Sequence, residues 1–218
     1  MRIRHIGIIA IALLLTSGVA LAQNQSSKAT AQAGKVSVLE SVDAYTTILT
    51  GGVHTSQQKD LFIGVSLECG LYTRTLSKSK GGNKDTSMAE AAVRVRVLID
   101  GVEAAPGEVT FCRRSQELSA TFQGLIDGCL SVVDGIVILD EECLLPEEIE
   151  LVLDTMNANT FNFLHPDAGV GSHTIEVQAM IDLGTSVDAG DAEARATLGK
   201  GSLTVEEVRL IKGEDVEL

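Results

Sequence analysis

The chain has 218 residues, a net charge of −13, no Trp, two Tyr and five Phe. A surface this negative repels phosphate backbones and anionic lipid, which argues against nucleic-acid binding. The scarcity of large aromatic rings disfavours a sugar-stacking platform, and the acids read as a solvated, self-repelling surface.

The N-terminus carries Arg2 and Arg4, then the apolar run Ile6–Leu15, then Ala20-Leu21-Ala22 before Gln23. This order of basic, apolar and small residues predicts a cleavable signal peptide over 1–22. The apolar run falls short of the roughly 20 residues a membrane-crossing helix needs. No cysteine follows it to carry a lipid anchor, and no membrane span is expected in the mature chain. Cleavage makes the mature protein more acidic still, because both arginines leave with the peptide. The expected address is secreted or periplasmic.

Residues 23–35 have little apolar content beyond alanine and read as a flexible leader. One β-sandwich domain is expected over 36–212, followed by a polar tail at 213–218. Ile63, Val65, Leu67, Cys69 and Leu71 share one parity, and Val93, Val95, Val97 and Ile99 alternate with Arg94 and Arg96 before an Asp100-Gly101 turn. Both patterns predict half-buried strands. The intervening basic, glycine-bearing stretch 77–87 reads as a mobile loop without core residues. Short helices are predicted at 40–48 and 86–92.

Further strands are predicted at 108–113, 118–126, 129–133, 136–140 (around Asp134-Gly135), 148–154, 160–164, 172–182, 192–198 and 201–211. Many short strands joined by turns predict an all-β fold, an antiparallel β-sandwich of jelly-roll or immunoglobulin-like form. Thr160-Phe161-Asn162-Phe163, the loop through Gly169 and Gly171, the run His173–Ala179 and the run Gly199–Glu206 resemble the closing strands of jelly-roll domains in exported bacterial and phage-tail proteins. The resemblance implies an architecture and transfers no site residue.

The four cysteines, Cys69, Cys112, Cys129 and Cys143, are even in number in an exported chain, which predicts two disulfides. Three pairings are open. Cys129 with Cys143 is favoured because the two flank a hairpin-like unit, leaving Cys69 with Cys112. A two-residue Asp134-Gly135 turn, however, places Cys129 opposite Asp140. The spacings match no zinc or redox motif.

No nucleophile elbow, dinucleotide fingerprint or phosphate loop is present. His54, His165 and His173 read as turn or strand-end residues, with His173 on the parity of Ile175 and Val177. A serine, a histidine and an acid could meet only through the fold. Asp182, Asp188, Asp191 and Glu193 supply hard oxygen ligands suited to calcium, against the simpler reading that they decorate solvent-facing turns. The leading expectation is a non-catalytic exported sandwich acting through its surface on a protein or cell-envelope partner. Self-association is a further option, by donating a strand around Val36 and Val38, against the simpler reading that 36–48 pairs within its own domain. The alternatives are an exported hydrolase whose site assembles in three dimensions, and a calcium-stabilised structural domain.

Overall fold

The computed structural model describes residues 29–34, 44–78, 84–121, 130–139 and 148–211, and within them every regular element is a β-strand. In chain order these are β1 (Ala29–Gly34), β2 (Thr46–Thr55), β3 (Lys59–Lys78), β4 (Lys84–Ile99), β5 (Val102–Glu103) and β6 (Val109–Thr121). They continue with β7 (Leu130–Val133), β8 (Ile136–Leu139), β9 (Glu148–Ala168), β10 (Gly171–Val187) and β11 (Asp191–Val208). One sheet has the order β1-β11-β3-β9, and the facing sheet has β2-β10-β4-β5 with β6 also paired to β4. All pairings are antiparallel, and β7 with β8 forms a separate hairpin. The protein is an all-β antiparallel sandwich.

Period-two alternation builds the core. Leu61, Ile63, Val65, Leu67 and Cys69 of β3 face Val93, Val95, Val97 and Ile99 of β4 and Ile175, Val177, Ala179 and Ile181 of β10 in one buried cluster. Each such aliphatic side chain contributes about 1.5–3 kcal/mol when taken fully out of water. The opposite parity carries charge. Arg94 pairs with Glu108 at 2.8 Å and Asp182 at 2.9 Å, and the Arg96 guanidinium lies 4.0 Å from the centroid of the Tyr45 ring.

Toward the far end of β3 the inner row continues as Thr73, Thr75 and Ser77, all fully buried. Buried hydroxyls need partners, and the neighbouring β6 supplies them. Thr73 donates to the Gln116 side-chain oxygen at 2.8 Å, Gln116 Nε2 donates to Thr75 at 2.7 Å and to the Leu151 carbonyl at 2.8 Å, and Ser77 donates to the Leu118 carbonyl at 3.3 Å. The apolar core therefore gives way, toward this end of the sandwich, to a hydrogen-bonded seam.

Several expectations are corrected. Ala29–Gly34, assigned to the leader, is a strand paired with β11 from Ala29 opposite Glu206 to Gly34 opposite Gly201, because the backbone of β11 offers an edge that alanines and polar residues can occupy. Residues 86–92 are extended: Ala89 and Ala91 share the buried parity of Val93, and pairing with β6 and β10 overrides alanine's helix preference. Likewise 46–48 belong to β2, which pairs with β10 of its own chain. The expected loop 77–87 contributes both strand ends, with Ser77, Asp85 and Ser87 fully buried.

Strands expected as pairs are continuous. Residues 148–154 and 160–164 merge in β9, so His165 lies within a strand opposite Leu61 instead of at a turn. Residues 192–198 and 201–208 merge in β11 through a bulge between Leu198 and Gly201, which moves the buried row from Ala196 and Leu198 to Leu203 and Val205. A parity change of that kind reads as a break in the sequence.

Cys69 and Cys112 form a disulfide that ties β3 of one sheet to β6 of the other. Cys129, Cys143, Val36, Val38, the signal segment 1–22 and the tail 213–218 lie outside the described residues. The β7–β8 hairpin has Leu130 opposite Leu139 around Asp134-Gly135, the register a two-residue turn sets.

Candidate functional site

One end of the sandwich gathers the groups with chemical potential. The Asp100-Gly101 turn closes β4 with Asp100 at φ 50°. There the Asp100 carboxylate accepts from the Thr174 backbone N–H at 2.8 Å and lies 2.7 Å from His173 Nδ1. On the other side of the ring, His173 Nε2 lies 2.9 Å from the Gly169 carbonyl and 3.1 Å from Thr55 Oγ1. Thr55 in turn donates to the Gly169 carbonyl and, at 3.3 Å, to the Gly171 carbonyl. Nearby, His54 Nδ1 lies 3.1 Å from Ser172 Oγ.

A hydroxyl, an imidazole and a carboxylate in line have the outline of a nucleophilic triad, but the ring nitrogen beside the hydroxyl also faces the Gly169 carbonyl. Both His173 nitrogens face acceptors, so the ring is stabilised as a double donor. Its pKa is raised, first by the Gly169 carbonyl and then by Asp100. Asp100 is correspondingly held below the usual carboxylate range, first by the Thr174 N–H and then by His173. His165 is pushed down by burial and then by the nearby His173 charge. A general base must accept the hydroxyl proton. Here Thr55 is fully buried and donates to backbone carbonyls instead. The cluster is a clamp that fixes the segment Ala168–Gly171 against β2 and β4.

Beside the clamp, an open depression of about 850 Å³ is lined by Gln57, Gln58, Lys59, Asp60, Asp167 and residues 208–211. Asp60 holds its wall by accepting from the Asp167 N–H at 2.9 Å and the Leu210 N–H at 2.8 Å.

The calcium candidates are not brought together. Asp182 bonds Arg94 at 2.9 Å, Asp191 bonds Arg74 at 2.6 Å, Glu193 pairs with Arg195, and Asp188 donates its backbone N–H to the Thr86 carbonyl at 3.1 Å. Among the described residues no group of three or more His, Cys, Asp or Glu side chains converges as a metal site would require. The acid-rich stretch is strand on either side of a turn at 188–190, and the carboxylates of Asp182, Asp191 and Glu193 are engaged by arginines.

The feature that sequence reading missed is apolar. Ile149, Leu151, Val152, Leu153, Met156 and Phe161 of β9 are exposed. So are Val132, Val133, Ile136, Val137 and Ile138 on both faces of the β7–β8 hairpin. The signal was present as the runs EIELVL and LSVVDGIVIL, but a strand's neighbours decide whether such runs are buried.

No family model matches the chain, and no curated protein matches it. Among solved structures, a structure of infectious bursal disease virus, Gx strain, is similar at 12% identity and a TM-score of 0.33, covering 87% of this chain and 34% of that one. The VP2 subviral particle of infectious bursal disease virus is similar at 10% identity and a TM-score of 0.29, covering 85% of this chain and 38% of that one. The chain thus spans a little over a third of the length of these structures. Among the described residues no helix is long and apolar enough to cross a membrane.

Proposed function

We propose that the protein is an exported, non-catalytic β-sandwich that serves as a structural or surface-interaction module, acting on a protein or cell-envelope partner or on further copies of itself. The observation that carries this reading is the exposed apolar surface of β9 and of the β7–β8 hairpin. Contiguous apolar residues left in water mark sites of association, and a two-stranded hairpin is at best marginal without a surface to rest on. The inter-sheet disulfide supports an oxidising destination. The jelly-roll likeness of residues 160–206 to exported bacterial and phage-tail domains supports the same reading, because those residues contribute to β9, β10 and β11.

The hydrolase reading is weaker, since the hydroxyl beside His173 is buried and committed to backbone carbonyls. The test is to compare the wild-type protein with Val137→Lys for retention on isolated envelope and for self-association. Loss of envelope retention with unchanged thermal stability is expected. Retention of every association by the variant, or turnover of ester or peptide substrates abolished by His173→Gln, would overturn the reading.

A further inference from the structure

In its sheet, β9 pairs with β3 on one side, and its other edge meets no further described strand, being bridged at Leu164 by Ala105. Its 21 residues form a long edge. Edge strands are normally blunted by charge, proline or brevity, because their free backbone groups recruit another strand. Along β9 the proline is Pro166, near the end, where the register with β3 shifts and Asp167 takes a φ of 58°. Before it the strand is regular and presents apolar side chains on both faces.

We propose that β9 is a homotypic interface, in which two copies pair their β9 edges antiparallel about a two-fold axis at Met156 and join their four-stranded sheets into one. The proposal rests on the interaction-module reading and names its partner as a second copy of this chain.

Charge decides the orientation. In a chain of net charge −13, two copies can meet only where carboxylates are kept apart or already neutralised. A parallel in-register pairing would set Glu150 beside Glu150 and Asp154 beside Asp154. The two-fold arrangement instead places Glu150 opposite Asn162 and Asp154 opposite Ala158, with Glu148 beyond the paired stretch. Two of these acids are already matched within their own sheet, Glu148 by Lys78 at 3.2 Å and Glu150 by Arg74.

The side chains fit the same register. Ile149, Leu151, Leu153, Phe161 and Phe163 share the face whose β3 partners, Ser77, Thr75, Thr73, Val65 and Ile63, are buried. Yet Leu151 is 39% and Phe161 38% exposed. The two-fold sets Leu151 directly opposite Phe161 of the second copy. Aliphatic–aromatic cross-strand pairs of this kind stabilise antiparallel sheets. Pairing runs from Glu150 to Asn162 and stops ahead of Leu164, whose outward N–H and carbonyl already bond Ala105. An isologous contact closes at two copies.

A residue on the axis faces itself. Directly opposed residues have Cα atoms about 4.5–5.5 Å apart, within disulfide reach. Met156→Cys should therefore cross-link to a dimer under mild oxidation, whereas Thr160→Cys, which would face Val152, should not. Sedimentation velocity of the purified protein should show a concentration-dependent dimer. Leu151→Lys should weaken it by about tenfold or more, by setting a cation into an apolar cross-strand pair. Circular dichroism and the melting temperature check that each variant is folded, and Met156→Cys adds no charge and removes only an exposed side chain. A monomer at all concentrations, a dimer in which Thr160→Cys cross-links as well as Met156→Cys, or a dimer indifferent to Leu151→Lys would overturn the proposal. In those cases, continued envelope retention abolished by Val137→Lys would leave the interaction-module reading standing, while its absence would remove both.

Discussion

Asp100 and His173, 73 residues apart in sequence, form a hydrogen-bonded pair at 2.7 Å that anchors the end of the sandwich. The pair makes stability depend on pH in a defined direction. The folded pKa of His173 is raised above its ordinary 6.5, so its contribution is fully present below that value and is lost as pH rises through the folded pKa. Asp100 is lowered, so its contribution is present above the ordinary carboxylate value and lost as pH falls through the depressed one. His165 opposes His173, because its lowered pKa makes acidification below 6.5 unfavourable. Comparison with a variant isolates the pair. The drop in melting temperature caused by His173→Gln should be larger at pH 6 than at pH 8.5, and an equal drop at both would show that the ring is not held as a cation.

The disulfide carries its own consequence. Cys69 and Cys112 are separated by 43 residues and belong to opposite sheets. Closing a loop of that length restricts the unfolded chain by about 4 kcal/mol. Replacing both cysteines with alanine should lower denaturant-measured stability by an amount of this order, with the fold kept. Thiol counting on unfolded, unreduced protein should find neither cysteine free.

Asp85 is fully buried and accepts the Lys78 N–H at 2.7 Å and the Ala189 N–H at 2.9 Å. It joins the end of β3 to the β10–β11 turn, where Gly190 packs so tightly that a Cβ would run into the Leu76 carbonyl. Asp85→Ala removes two part-buried hydrogen bonds, at about 0.5–1.5 kcal/mol each. Thermal melts should show a large loss for Asp85→Ala, with hydrogen exchange accelerated first at Lys78 and Ala189. An unchanged melt would mean that water replaces the carboxylate.

Chelation should do nothing measurable. Asp182, Asp191 and Glu193 are engaged by Arg94, Arg74 and Arg195, and a cation would have to displace those arginines. A melting temperature raised by millimolar calcium and lowered by EDTA would show that a site assembles from these acids despite the ion pairs.

These features differ in how far the sequence announced them. The rows Ile63–Leu71, Val93–Ile99 and Ile175–Ile181 were legible because an apolar core imposes period two locally. Thr73, Thr75 and Ser77 were not, since nothing in a polar residue's type announces a partner 41 or 43 positions away, nor were Asp85 and Ser87. The bulge at Leu198 to Gly201 concealed the unity of β11 by reversing its parity. Asp100-Gly101 was readable as a turn, but its role in holding His173 depends on β4 and β10 lying side by side. The exposure of β9 depends on the strand order, which alternation does not encode.

The last prediction tests the packing on which the exposed edge depends. Val177 is fully buried, opposite Val97 on β4 and Leu49 on β2, whereas its neighbour Glu176 points to the outer face and touches Gln178 at 3.3 Å. A carboxylate at 177 would have no cation or donor within the aliphatic cluster, and burying it unpaired costs several kcal/mol. A domain of this size has a margin of about 5–15 kcal/mol. Val177→Asp should therefore unfold the protein or lower its melting temperature severely. Glu176→Lys, which loses one peripheral contact, should change stability by about 0.5 kcal/mol or less. Chemical denaturation of the two variants separates these outcomes. Equal tolerance would mean that β10 is not packed on the facing sheet.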